Sequence, residues 1–267
     1  MTKENEKGLK LLVVILLVIV VILGSYLVYD KLMSKGTNIE ETSIKLDDNK
    51  DYVYDADYTN LYDNKYTEYT GYGENEKISN IKIPYINISS YDAGVANGEL
   101  QSLYVERAKN FDQCAIESHD CSYSTSYTTY KYNDILSVVV EYRDPKIYEF
   151  KTYNFDIKTG KKITYDEMIS RLGYNENTIL AEEKKAIKIY MDSVGSKFNV
   201  DLTTNCYYTD NLKNCYDIAY KILNDYIANE TISYFVDKDG NLNIITIPYT
   251  DLAQSSNVHQ EIFTVEK

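Results

Sequence analysis

The chain has 267 residues, with 28 Lys and Arg against 41 Asp and Glu, a formal net charge of −13. That balance excludes the basic stripe that nucleic-acid phosphates require, so no nucleic-acid partner is expected. The 44% hydrophobic content suffices for an ordered core and argues against wholesale disorder, while 29 tyrosines stand beside 6 phenylalanines and no tryptophan.

The first element is apolar. Leu9 to Tyr29 contains the unbroken run Leu11–Leu23, and its length approaches the ~20 residues a helix needs to cross hydrocarbon. Residues 1–8 form a short tail before it. Lys3, Lys7 and Lys10 precede the run and Lys31 and Lys35 follow it, a bias toward a cytoplasmic N-terminus. The run is longer than a usual signal-peptide core, no Ala-x-Ala-like site follows, and Gly24 is a poor substitute. No cysteine sits near its end, which excludes a bacterial lipoprotein. Residues 9–29 are therefore read as an uncleaved transmembrane signal anchor of a single-pass cell-membrane protein, with the C-terminal domain extracytoplasmic. Residues 30–45 are polar and aperiodic, a stalk. Removing Lys3, Lys7, Lys10, Glu4 and Glu6 from the totals leaves 25 basic against 39 acidic residues in 30–267, a net of −14. Such a domain repels anionic surfaces and attracts basic proteins.

From Asp51 the pattern turns strand-like, with Tyr and Thr alternating through Asp51–Tyr58 and Tyr66–Tyr72. Ile78–Ile88 continues it, with Pro84 marking an edge strand or a bulge. A helix is predicted over about Asp92–Asn110, carrying Ala96, Leu100, Leu103, Tyr104 and Phe111 on one face. A Tyr- and Thr-rich stretch, Ser122–Tyr132, leads into a buried strand over Asp134–Tyr142. Asp144-Pro145 makes a turn, Ile147–Ile157 is a second strand, and Lys158–Lys161 turns toward a short strand at Ile163. Thr164-Tyr-Asp-Glu167 is a capping-box pattern, so a helix starts at Tyr165. Another helix covers about Thr178–Ser193. A third carries the amphipathic stripe Cys215, Ile218, Ala219, Ile222, Leu223 and Tyr226. Thr231–Val236 and Leu242–Tyr249 flank Asp237-Lys-Asp-Gly-Asn241 as a hairpin. The fold class is α+β, antiparallel sheets packed with helices, preceded by a single transmembrane helix.

Chemistry is sparse. Cys114, Cys121, Cys206 and Cys215 all follow the anchor, an even count that reads as disulfides with three connectivities open. The short spacings favour Cys114–Cys121 and Cys206–Cys215, and neither pair has the spacing of structural zinc ligands. Asp237-Lys-Asp-Gly-Asn fails as an EF-hand loop, since Gly comes fourth rather than sixth and Pro248 occupies the twelfth place. A turn with a positive-φ glycine explains it. The histidines are His119, beside Ser118 and Asp120 but too close in sequence for a triad, and His259, without an evident partner. No phosphate loop, dinucleotide fingerprint or zinc-protease helix occurs. No catalytic residue, cofactor or metal is assigned, and an enzyme is not expected. The tyrosines suit half-buried strands, with stacking on sugar faces as the rival use.

Three segments carry a resemblance. Tyr52-Val-Tyr-Asp-Ala-Asp57 with Ile81-Lys-Ile-Pro-Tyr-Ile-Asn-Ile88 resembles the N-terminal module shared by PdaC-type peptidoglycan deacetylases and RsiV-type lysozyme-sensing anti-sigma factors. Tyr153-Asn-Phe-Asp-Ile-Lys-Thr-Gly-Lys-Lys-Ile-Thr164 resembles the start of the RsiV-type C-terminal module, and Gly240-Asn-Leu-Asn-Ile-Ile-Thr-Ile-Pro-Tyr249 its last strand. The likeness implies an N-terminal module over 46–130 and a C-terminal module over 131–267. It implies no deacetylase, because that activity belongs to a separate domain with metal-binding His and Asp. Residues 1–8 are too few for the sigma-holding segment of the anti-sigma factors. The expected function is a membrane-anchored, non-catalytic, extracytoplasmic binding or sensor-type protein of the bacterial envelope that captures a basic, lysozyme-like muramidase. A cell-wall glycan-contacting accessory protein and an envelope enzyme of another type are the alternatives.

Overall fold

The computed structural model describes residues 51–71, 74–117, 121, 123–144, 147–175, 177–203, 214–248 and 258–266. The expected anchor at 9–29 and stalk at 30–45 lie outside them, and among the described residues no helix is long and apolar enough to cross a membrane. Lys45–Lys267 form one compact unit. It is α+β, and its strands are antiparallel but for one short parallel pairing.

An N-terminal arm comes first. Strand β1 (Val53–Asp55) pairs antiparallel with β4 (Pro84–Ile86), and a small hairpin, β2 (Glu68–Gly71) and β3 (Glu74–Lys77), lies between them in sequence. Helix α1 (Tyr91–Glu117) follows. Its start is fixed by Ser90, whose Oγ accepts from the Ala93 N–H at 3.1 Å, as an N-cap does. The helix runs a full two turns beyond the expected end near Asn110. Its buried stripe continues through Phe111 to Cys114, where the disulfide to Cys121 ties its last turn to the next segment.

The central sheet has the order β10-β7-β6-β5. Strand β5 (Ser124–Tyr132) is the Tyr- and Thr-rich stretch, and it forms a two-residue hairpin with β6 (Ile135–Arg143) through Asn133-Asp134, Asn133 at φ 50°. Strand β7 (Ile147–Asp156) completes the meander, and β10 (Val258–His259) adds parallel to β7. The module boundary expected at residues 130 and 131 falls inside β5. Ile135 to Val140 are all buried because both faces of β6 are covered. Leu136, Val138 and Val140 meet α1 and the arm, whereas Val139 faces a second sheet.

That second sheet, order β11-β9-β8, comprises β8 (Ser233–Val236), β9 (Leu242–Thr246) and β11 (Glu261–Val265). The predicted hairpin turn joins β8 to β9, with Gly240 at φ +85°. A Cβ there would stand 2.4 Å from the Tyr132 ring, so both the backbone angle and the close approach require glycine. The outer face of this sheet carries three helices: α2 (Tyr165–Leu172), α3 (Ile179–Phe198) and α4 (Cys215–Ala228). Thr164 caps α2 by accepting from the Glu167 N–H at 3.3 Å, as its capping box predicts, and Gly173 ends the helix at φ 74°. The amphipathic stripe of α4 buries Cys215, Ile218, Ala219 and Leu223. The layers thus run from α1 with the arm, through two stacked sheets, to α2, α3 and α4.

Candidate docking groove

Where α3 faces β11, from Glu182 to Ser193, a groove of about 380 Å³ lies between helix and strand. Ala186, Ile189, Tyr190 and Ser193 line it from the helix, spaced three and four residues apart on one face. Ile262 and Thr264 line it from β11, which pairs with β9 on one side and, among the described residues, with no strand on the other. Two of the apolar side chains remain open to solvent, Ile189 at 57% and Ile262 at 40% exposure.

The rim is acidic. Glu182 and Glu266 flank Lys185, whose ammonium lies 3.5 Å from the former and 3.9 Å from the latter. Tyr190 donates its hydroxyl to Glu261 at 3.3 Å and packs edge-on against Phe263. Burial, and after it the Glu261 carboxylate, pushes the Tyr190 hydroxyl up to about 12. An apolar floor, an open strand edge and a helical wall are the parts that accept an extended peptide by strand addition.

The residues singled out in sequence fall elsewhere. Cys114 and Cys121 form a disulfide with Cα atoms 5.7 Å apart. Cys215 is buried and disulfide-bonded, while its expected partner Cys206 lies outside the described residues. His119 is also outside them. His259 is exposed on β10, with Nε2 3.3 Å from Glu261 and its ring against Tyr148. Asp237 turns its carboxylate onto its own loop, accepting from the N–H groups of Asp239 and Asn241 and from the Asn241 amide. Burial works against its charge, yet these donors hold the carboxyl below its ordinary value. That is turn chemistry. Among the described residues no cluster of His, Cys, Asp or Glu is placed to hold a metal ion.

Tyrosine has a use that the composition did not disclose. Among the described residues, Tyr127, Tyr142, Tyr165, Tyr190 and Tyr216 each donate a hydroxyl to a carboxylate, on Asp55, Glu149, Glu183, Glu261 and Asp192 respectively. In a chain with more acids than bases, these phenols supply carboxylates with donors; among the described residues only Asp192 of the five also meets a lysine, Lys188 at 2.7 Å.

Two buried charges mark structural pins. Arg107 is 2% exposed; its Nη1 lies 3.0 Å from Asp144, its Nη2 donates to the Arg143 carbonyl, and its guanidinium faces the rings of Tyr123 and Tyr142. It clamps α1 to the end of β6. Glu183, on α3, is fully buried; one oxygen accepts from Tyr165 and Oε2 has no partner. Burial pushes its carboxyl up to about 7, against the opposing pull of the Tyr165 hydrogen bond.

No protein-family model and no curated protein matches this chain.

Proposed function

We propose that this is a capture protein of the bacterial envelope. Residues 9–29 hold it in the cell membrane by a single span, and the unit outside binds a basic, lysozyme-like protein without catalysing a reaction. The observation that carries the reading is the acid-rimmed groove between α3 and β11, whose open strand edge suits an extended segment of a cationic partner. The net charge of −14 over residues 30–267 supplies the long-range attraction. The resemblance of the outer segments to those of RsiV-type sensors supports the choice of partner.

The test is binding of a basic muramidase to the full chain in lipid nanodiscs, at low salt and near 0.5 M. Charge-steered capture is expected to weaken at least about tenfold, as the screening length falls to roughly half its physiological value. No binding at low salt overturns the reading. The wall-accessory reading then takes its place if isolated peptidoglycan binds with little salt dependence; the stacked pair Tyr54 and Tyr85, 5.1 Å apart with Tyr54 46% exposed, is the platform it would use.

A further inference from the structure

A second cavity, of about 160 Å³, lies between α1 and β7. The hydrogen bonds along the outer edge of β7 fix its phase. The Phe150 N–H donates to the Gln260 side chain at 2.8 Å, and the Gln260 N–H to the Tyr148 carbonyl at 2.9 Å. Further along, the Ile163 N–H donates to the Asn154 carbonyl at 2.9 Å. Alternate residues share a direction, so Thr152 also turns its N–H and carbonyl away from β6. Gln260 closes the edge on one side of Thr152 and Ile163 closes it on the other. Thr152 itself lines the cavity, and among the described residues nothing bonds to its outward main-chain groups.

The walls add an independent observation. Tyr153 is 6% exposed, and its hydroxyl is buried without a hydrogen-bond partner. Burial, and after it the nearby Glu99 carboxylate, pushes that hydroxyl above its ordinary value, so at neutral pH it remains a donor. The Lys151 and Lys162 ammonium groups also line the space, and among the described residues neither meets a carboxylate. From α1 come Glu99 and Asp92, whose Oδ2 accepts from the Lys162 N–H at 2.8 Å. Two ammonium groups and two carboxylates sum to zero.

We infer that this cavity binds a free α-amino acid, held as a zwitterion against the edge of β7 at Thr152. One strand residue offers an N–H and a carbonyl together, and what takes both is the main chain of one further residue. A free amino acid carries those two groups in charged form on a single carbon. Its carboxylate accepts from the Thr152 N–H, from Lys151 and from the Tyr153 hydroxyl. Its ammonium donates to the Thr152 carbonyl and to Asp92. The chain direction orders these groups, since the carbonyl lies toward Phe155, which bridges to Lys162 beside Asp92. A lining whose charges cancel suits a zwitterion better than an ion of either sign. At about 30 Å³ per water the cavity holds roughly five waters, well below drug-sized sites, which limits the ligand to a side chain no larger than that of valine. The site shares no lining residue with the groove, so the inference is independent of the proposed partner.

The experiment is equilibrium dialysis of the full chain in lipid nanodiscs against radiolabelled glycine, L-alanine, L-serine and L-valine. At least one is expected to bind with a dissociation constant below about 1 mM. The N-acetyl and amide derivatives of that amino acid each lack one charge and should compete at least about tenfold more weakly. Tyr153→Phe removes a buried hydroxyl that has no partner, so the thermal midpoint should hold or rise while binding weakens at least about tenfold. Val95→Trp fills the cavity from a position on α1 that is 46% exposed, and is expected to abolish binding. Should Tyr153→Phe fail to fold, judged by circular dichroism, Val95→Trp decides alone. No retention of any of the four at about 10 mM overturns the inference. So does a derivative that binds as tightly as its parent, a Tyr153→Phe variant that loses stability but keeps binding, or binding that survives Val95→Trp.

Discussion

Two kinds of strand edge occur in this unit, and they are built differently. The outer edges of β4 and β8 are closed by side chains. Asn97 on α1 accepts from the Ile86 N–H at 2.8 Å and donates to the Ile86 carbonyl at 2.9 Å, so one amide stands in for a missing strand. Strand β8 is closed from the central sheet. Thr152 accepts from the Tyr234 N–H and Ser137 from that of Val236; Asn154 donates to the Tyr234 carbonyl and accepts from Ser137. The outer edge of β11 has no such closure among the described residues, and that of β5 is met by main chain instead, the Lys82 N–H donating to the Thr125 carbonyl at 2.9 Å. Where burial removed water, the sequence supplies an amide or hydroxyl of matching geometry, because an orphaned main-chain group there costs about 1–3 kcal/mol. Where water remains, the edge groups can be hydrated and need no such closure.

Removing a closure should give the largest effect. In Asn97→Ala the Ile86 N–H and carbonyl lose their partners beneath α1, and water cannot replace them at a site with Ile86 fully buried. Two orphaned groups predict about 2–5 kcal/mol of lost stability, read as a lower urea midpoint with unchanged slope. A loss under about 1 kcal/mol would mean that the edge relaxes toward solvent and that closure is not what separates the two kinds.

Glu183 sharpens the comparison from the other direction. Amide and hydroxyl closures do not titrate near neutrality, whereas this buried carboxyl is pushed up to about 7 from an ordinary 4.5. The folded state then binds its proton more tightly than the unfolded chain. Its stabilising contribution is complete below pH 4.5, falls away as pH rises, and is gone above about 7. Glu183→Gln should therefore gain on the wild type by about 3 kcal/mol between pH 4 and pH 8. Denaturation of both proteins at the two pH values measures it, and parallel stability profiles would show Glu183 hydrated.

Much of the fold was legible because it is local. The Thr164 capping box and the Asp237–Asn241 turn rest on contacts within a few residues, and the stripe of α4 and the Ile135–Val140 run show in the local spacing and residue type. The rest depends on distant partners. Asn97 reads as one more polar residue in a helix until β4 lies against it. Ser122–Tyr132 gave no sign of where an open edge would fall, since a strand's own sequence does not state how many neighbours it has. Glu183 sits in Ala181-Glu-Glu-Lys-Lys185, which reads as a solvated face. Its position was nonetheless visible, because Ile179, Glu183, Ile187 and Met191 recur every fourth residue and all are buried. The groove joins residues some seventy positions apart, and the exposed Ile189 between Ala186 and Ser193 was its one local sign.

The smallest expected change in stability belongs to that groove, and it is the most informative about function. Ile189→Ser and Ile262→Thr alter side chains already open to water, so each should move folding stability by no more than about 0.5 kcal/mol. If the groove takes an extended segment of a basic partner, both side chains become buried on binding. Losing the apolar area of either is worth roughly 1–2 kcal/mol of affinity, a fivefold to thirtyfold weakening. The effect should persist at 0.5 M salt, since it is apolar, whereas charge reversal of Glu182 and Glu266 to lysine should slow association mainly at low salt. Titrating the muramidase against these variants at both salt concentrations separates the contact from the steering. If both groove variants bind as the wild type does while binding stays salt-sensitive, the partner is held by the acidic field alone, and the open edge of β11 serves another chain.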